Sequence, residues 1–227
     1  MQSGFFFSPE DDTELEATNS VFWDSLLGHI HEDCRGEPPR SLLDIGCHYG
    51  GLLSRLIAAW KPQRAWGVEP LAPARERSIA RLQRHAPDVR ILDTTDWPSI
   101  PASSFELITC HEVLYLVPDL TAFMANVHRA LSPSGRVYLV LGCHAENPMW
   151  QGWKPQLEAL GHRVYDHRPM DILAAGAALG FTPSIRPLRQ SGWITHNPLQ
   201  GEFAFPSAAA MLDHHFKYKL LFRFAQS

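Results

Sequence analysis

Residues able to do chemistry gather at a few short turns of this chain. Asp44-Ile45-Gly46-Cys47-His48-Tyr49-Gly50-Gly51 joins a carboxylate to glycines that let the backbone turn tightly and approach a ligand. It is no Walker loop, because no Gly-Lys-Ser/Thr follows, and it lacks the G-x-G-x-x-G spacing of a dinucleotide site. Glu69 closes an apolar run, where a carboxylate can accept both hydroxyls of a ribose; by itself it reads equally well as the cap of the next helix. Asp93-Thr94-Thr95-Asp96-Trp97-Pro98 is an acid followed by an exposed turn. A further run, Cys110-His111-Glu112-Val113-Leu114-Tyr115, carries an imidazole that titrates near neutral pH.

Cys47-His48, Cys110-His111 and Cys143-His144 are three Cys-His pairs, and each is expected at the end of a strand. Cys and His are ligands that zinc and iron prefer, but Cys is also a small residue suited to crowded turns. No metal site is assigned. A single histidine acting as general base is the stronger reading, with His111 and His144 as candidates and Tyr115 behind them.

These turns need a scaffold, and the chain supplies one. With 227 residues, 45% of them apolar and 19% charged, it suits one globular domain. Net charge of −4 argues against a nucleic-acid partner. No run approaches the roughly 20 apolar residues of a membrane helix, and four scattered cysteines without C-x-x-C suit a reducing compartment, so a cytoplasmic protein without a membrane partner is expected.

Apolar spacing predicts a helix over residues 12–33, ended by Gly36 and Pro38-Pro39. Short apolar runs then alternate with helical patterns, the mark of an α/β fold. Strands are expected at 41–46, 64–69, 89–92, 105–110 and 136–142, with helices at 50–60, about 71–86 and 116–131. Arg77, Arg81 and Arg84 read as a solvated face of the second of these. Residues 144–168 break the rhythm as an insertion with a weak helix near 155–160. A helix at 170–179 and a strand at 181–188 restore it. Either 192–195 or 202–205 supplies a last strand, and 207–224 a closing helix with Met211, Leu212, Phe216 and Leu220 on one face. The expected architecture is a Rossmann-like, doubly wound, mostly parallel seven-stranded sheet with helices on both faces. Residues 1–40 form a lid segment, 41–205 the main domain, and 206–227 a helix packed on it.

Taken together, the turns resemble those of class I S-adenosylmethionine-dependent methyltransferases, in particular the small-molecule group that includes ubiquinone and menaquinone biosynthesis methyltransferases. Leu43 to Gly50, the acid Glu69, the Asp93 to Pro98 turn, Glu112-Val113-Leu114, Leu131-Ser132-Pro133-Ser134-Gly135 and Leu179-Gly180-Phe181 carry the likeness, over about residues 40–188. It implies S-adenosyl-L-methionine as cofactor. The implied binding residues are Asp44, Gly46, Cys47, His48, Gly50, Glu69, Pro70, Asp93, Thr94, Cys110 and His111: Gly46 and Gly50 border the methionine, Glu69 holds the ribose diol, Pro70 lies near adenine, and Asp93 and the Thr94 N–H meet the base. His48 stands where this family has glycine, and Tyr115-Leu116 where the group often has paired histidines.

Methyl transfer to an O or N nucleophile of a small-molecule acceptor is the implied activity; a non-catalytic protein that keeps the fold to bind cofactor is the alternative. Phe5-Phe6-Phe7, Trp150, Trp153 and the 193–205 segment suggest a flat, largely apolar acceptor. The same rings could instead seal a lid or a homodimer contact. His214-His215 with Lys217, Lys219 and Arg223 reads as the surface of the last helix.

Overall fold

The computed structural model describes residues 9–34, 37–84, 86, 88–195 and 204–226. The Phe5-Phe6-Phe7 arm lies outside them. Seven strands form one sheet in the order β3-β2-β1-β4-β5-β7-β6: β1 (Ser41–Ile45), β2 (Arg64–Val68), β3 (Arg90–Leu92), β4 (Phe105–His111), β5 (Leu131–Leu141), β6 (Phe181–Pro187) and β7 (Leu220–Gln226). The first five run parallel, and β7 inserts antiparallel between β5 and β6. Order reverses between β1 and β4, and it is above the carboxyl ends of strands at such a reversal that sheets of this kind form a ligand crevice.

Two cores sandwich the sheet. Phe22, Leu26 and Ile30 of α1 (Pro9–Cys34), Leu52, Leu53 and Leu56 of α2 (Gly51–Trp60), and Leu82 of α3 (Ala72–Leu82) cover one face. Met124 and Val127 of α4 (Leu120–Ala130), Trp150 and Trp153 of α5 (Trp150–Ala159), and Ile172 of α6 (Pro169–Ala177) cover the other. α4 begins later than the spacing predicts: Val117-Pro118 breaks the chain after a 3-10 turn at Leu114–Leu116, and the Asp119 carboxylate caps the new start by accepting the Ala122 N–H at 3.0 Å. The insertion is part of the core, since Trp150 is fully buried. Among the described residues no helix is long and apolar enough to cross a membrane.

The end of the chain differs from the expectation. Residues 207–224 are not one helix: α7 covers only Ala208–Asp213, a π-turn spans His214–Tyr218, and Leu220–Gln226 is strand β7. Phe222 and Phe224 are buried against the α4–α6 core and Leu221 against the opposite one. That is a two-residue alternation, which fills the slot between β5 and β6. Residues 192–195 carry no strand, and 202–205 lies partly outside the described residues. The outer strand β6 is blunted by Pro183 and Pro187.

Candidate active site

Above β1 the backbone alternates into the left-handed region at Gly46 (φ 73°), His48 (φ 48°) and Gly50 (φ 75°). A Cβ on Gly46 would lie 2.3 Å from Val113 Cγ2, so glycine is required there. His48 enters the same region with a side chain, which costs about 1–2 kcal/mol. Its ring stacks on Tyr49 at 4.0 Å. Glu69 fastens this loop: one carboxylate oxygen accepts the His48 N–H at 2.8 Å and the other the Leu71 N–H at 2.9 Å. It is buried, which raises its pKa against the lowering by those two N–H donors. An ionised carboxylate offers about four lone-pair directions, so room remains for two hydroxyls.

Asp44 lies one step deeper. It is 2% exposed; Oδ1 accepts the Thr109 hydroxyl at 2.7 Å, while Oδ2 is buried with no partner. Burial pushes its pKa up to about 7. A bound cation would relieve both the orphaned oxygen and the raised pKa, as a sulfonium-bearing amino acid would. Asp93 is tied to Arg75 at 3.2 Å and receives the Thr94 hydroxyl at 3.2 Å. Pro70 is exposed, and its carbonyl accepts from Arg75 at 3.2 Å.

Sequence reasoning missed Arg75. Its guanidinium also donates to the Glu69 carbonyl at 2.7 Å, clamping the second and third turns together. Arg81 and Arg77 are not a bare solvated face: Arg81 pairs with Glu16 of α1 at 2.6 Å and donates to the Tyr49 carbonyl at 3.1 Å, and Arg77 lies 3.8 Å over the Tyr49 ring. The helical spacing of these arginines was visible, but their partners lie on other elements. An open cleft of about 460 Å³ separates α1 from the turn after β1, lined in part by Glu16, Ala17, Ser20 and Trp23.

The ends of β4, β5 and β7 form the other side of the crevice. His111 lies beside Phe22 and Trp23, with ring centroids 6.5 and 6.3 Å away, and its Nε2 is buried without a partner. Burial and the nearby Lys219 ammonium lower its pKa to about 3, so it is neutral at pH 7. Glu112 (φ 54°) accepts the Gly142 N–H at 2.6 Å, the Cys143 N–H at 3.4 Å, and Lys219 Nζ at 2.6 Å. Despite burial, the ammonium holds its pKa down to about 2. Neither Glu112 nor Lys219 drew notice as a charged partner, because each lies far from the other in the chain.

The three Cys-His pairs do not converge on one point. Strands β1, β4 and β5 are neighbours, but the Cys47 thiol points to Ser78 (3.9 Å), Cys110 is fully buried in the α4–α6 core, and Cys143 faces Glu112. Among the described residues no group of three or more His, Cys, Asp or Glu could hold a metal ion. His144 donates from Nε2 to the Tyr218 carbonyl at 2.8 Å, is 1% exposed and leaves Nδ1 buried without a partner. Tyr115 packs against Trp150 at 5.5 Å, and burial drives its hydroxyl well above the usual tyrosine pKa, which makes it no base at neutral pH.

His214 and His215 are not surface residues. They are buried beneath Phe22, Trp153 and Phe205. His214 Nδ1 accepts from Asn147 at 3.1 Å and His215 Nδ1 from Arg189 at 3.1 Å. Lys219 is buried on Glu112, and Arg223 pairs with Asp33 of α1 at 2.9 Å. The last segment thus presents no continuous basic surface. Trp153 and Phe205 join this wall, whereas Trp193 is 96% exposed.

A twisted sheet whose order reverses beside a glycine turn, with an acid at the end of each of the next two strands, defines a Rossmann-like nucleoside-binding methyltransferase architecture. Residues 22–182, more than half the chain, match the family model described as methyltransferase domain, and the chain belongs to that family. S-adenosylmethionine is the family's methyl donor. The ubiquinone biosynthesis O-methyltransferase of Xanthomonas oryzae pv. oryzae is 35% identical over 129 residues, covering 55% of this chain and 50% of that protein. The chain spans about half the length of the first curated relatives it matches (49% and 45%).

Among solved structures, a methyltransferase from Haloferax volcanii in complex with the Trm112 methyltransferase activator superposes with a TM-score of 0.75 at 17% identity, covering 96% of this chain and 94% of that one. Geranyl diphosphate C-methyltransferase from Streptomyces coelicolor A3(2), in a structure holding S-adenosyl-L-homocysteine, gives 0.68 at 18% identity, covering 90% and 81%. At such identities these likenesses establish the fold alone.

Proposed function

We propose that this chain transfers the methyl group of S-adenosylmethionine to an O or N nucleophile of a small, aromatic or largely apolar molecule, in the cytoplasm. One observation carries the reading: the buried Glu69 carboxylate bolts the first two turns together and still has lone pairs for a vicinal diol. Glu69 would hold the ribose, Asp93 the exocyclic amine of the base, and the Gly46–Gly50 turn with Asp44 the cationic amino-acid end. The name of the Xanthomonas relative and the aromatic wall of Phe22, Trp153 and Phe205 support the acceptor class.

Bound there, the donor supplies a methyl on a positively charged sulfur that departs as a neutral thioether, so no acid is needed. Held by Glu69, Asp93 and the Gly46–Gly50 turn, the donor would give its methyl to the acceptor's oxygen or nitrogen as the S–C bond breaks, the acceptor's proton passing to a base or to water. The protein's share is alignment, worth up to about 7–11 kcal/mol, and exclusion of water, to which the buried Trp23 would contribute. His111 is the group best placed to receive the acceptor's X–H: it is neutral, and its Nε2 is buried and unpartnered. It serves as a hydrogen-bond acceptor that orients the nucleophile rather than as a strong base. His144 and Tyr115 are set apart by the Tyr218 contact and by the high phenol pKa.

Incubation with methyl-labelled S-adenosylmethionine and a panel of phenols, amines and saturated alcohols tests this. Label should appear in extracted phenol or amine products. Donor binding with no label passed to any acceptor would contradict it.

A further inference from the structure

One buried ring on the acceptor side has surroundings that suit a different ring. Phe22 is 4% exposed, and one side of it is walled by polar groups. The His215 ring lies 4.9 Å away at a 30° tilt, His214 meets it edge-on at 6.4 Å, His111 lies 6.5 Å off, and Lys219 Nζ sits 4.2 Å from the ring centroid. These groups come from β4, the π-turn and the residue that closes it; His214, His215 and Lys219 have partners in Asn147, Arg189 and Glu112, whereas His111 has none at Nε2, and a hydrocarbon ring cannot supply one. His111 Nε2 is left buried and unpaired beside it, an arrangement that costs free energy unless something fills it. Phe22 shares the apolar core of Leu26 and Ile30, one and two turns further along α1, and in addition meets these polar groups.

α1 is also held unequally. Its C-terminal half is pinned by Leu26 and Ile30, both fully buried, and by Asp33, which accepts from Tyr138 at 2.7 Å and from Arg223 at 2.9 Å. The turns just before Phe22 border the 460 Å³ cleft through Glu16, Ala17 and Ser20 and are tied across it only by the part-exposed Glu16–Arg81 pair, so this end of the helix has space to shift once that pair opens.

We propose that Phe22 is a plug: its ring occupies the seat of the acceptor's ring, between His215 and the Lys219 ammonium, and gives way when the acceptor binds. The proposal rests on the methyl-transfer reading and adds to it the residues that grip the acceptor. His215 offers a face for stacking, Lys219 a cation for the π-face of an electron-rich ring, and His111 Nε2 an acceptor for a hydroxyl that Phe22 lacks. Glu112 keeps Lys219 in place beneath the ring.

Calorimetry on the full chain saturated with S-adenosyl-L-homocysteine tests it, with phenol, catechol and hydroquinone as ligands and cyclohexanol as the non-aromatic control. The aromatic ligands should bind the wild type and bind Phe22→Ala about tenfold or more tightly, because the seat is vacated, while cyclohexanol gains little. Phe22→Leu keeps the packing and serves if the alanine variant does not fold; it should show a smaller gain in the same direction. The paired variant Glu112→Gln/Lys219→Met removes both charges together and should weaken aromatic binding about tenfold, with affinity for S-adenosyl-L-homocysteine unchanged. Aromatic ligands that bind no better than cyclohexanol, or that gain nothing from loss of the Phe22 ring, overturn the plug and leave donor binding standing. No heat with S-adenosyl-L-homocysteine itself would bring down both.

Discussion

The two sides of the crevice are built on different plans. The proposed donor side is assembled from consecutive turns after β1, β2 and β3, held by backbone N–H groups on Glu69 and by the Arg75 clamp. The proposed acceptor side draws on α1, β4, the turn after β5, the π-turn and β7, joined by side chains distant in the chain. Their electrostatics are opposite as well. Asp44 is a buried carboxylate with no cation beside it, and its pKa rises to about 7, whereas Lys219 pulls buried Glu112 down to about 2. Under the proposed reading, the donor side keeps a buried carboxyl group that a cation would ionise, and the acceptor side has its charges already paired.

The contrast breaks most visibly at the ion pair. Lys219→Met leaves Glu112 buried and unpaired and should cost about 3–5 kcal/mol of stability in urea denaturation, with much of it restored in Glu112→Gln/Lys219→Met. If the single variant is as stable as the wild type, the pair does not organise the acceptor side.

Titration should separate the two sides next. Asp44 holds its proton longer in the fold than when unfolded, so its contribution falls as pH rises from 3.8 to about 7. His111 and His215, with pKa values lowered to about 3 and about 4, bind protons more readily when unfolded, so stability is lost as pH falls below 6.5. Glu112 adds a loss as pH falls from 4.5 to about 2. Each proton is worth about 1.4 kcal/mol per pH unit within its window. Asp44→Asn should therefore be more stable than the wild type near pH 7 and converge with it near pH 4, the acid limb remaining. Parallel curves across that range would mean that Asp44 is not held protonated.

A smaller effect belongs to Gly142, where an added Cβ would lie 2.9 Å from both His214 Cε1 and Lys219 Cδ. Gly142→Ala should cost about 1–3 kcal/mol in thermal unfolding through crowding of the acceptor side, with donor affinity intact. Smallest of all, His48→Gly removes a left-handed side chain at the cost of a more flexible unfolded chain, and should change stability by less than about 1 kcal/mol, whereas His48→Val should lose more.

How far each side was legible in the sequence follows from the same difference. Asp44, Gly46, Gly50, Glu69 and Asp93 sit in or beside turns a few residues long, whose order and spacing along the chain carry the family resemblance, and the α/β alternation around them is local too. Strand β7 was hidden because Met211, Leu212, Phe216 and Leu220 keep helical spacing while Leu220, Phe222 and Phe224 keep a two-residue one; only the slot between β5 and β6 decides between them. The Glu112–Lys219 pair, the burial of His214 and His215 and the seat of Phe22 have no local signature, since each exists only once β7 lies beside β5. Arg75 illustrates the same point on the donor side: an arginine on a helix looks solvated until the carbonyl it clamps comes into view.

Isothermal calorimetry of S-adenosyl-L-homocysteine against the wild type and Glu69→Ala bears most directly on the account. One molecule should bind per chain, and the variant should bind about a hundredfold more weakly or not at all, as expected for loss of charge-assisted bonds to a diol. A folded wild type that gives no heat, or a variant that binds as tightly, would contradict it.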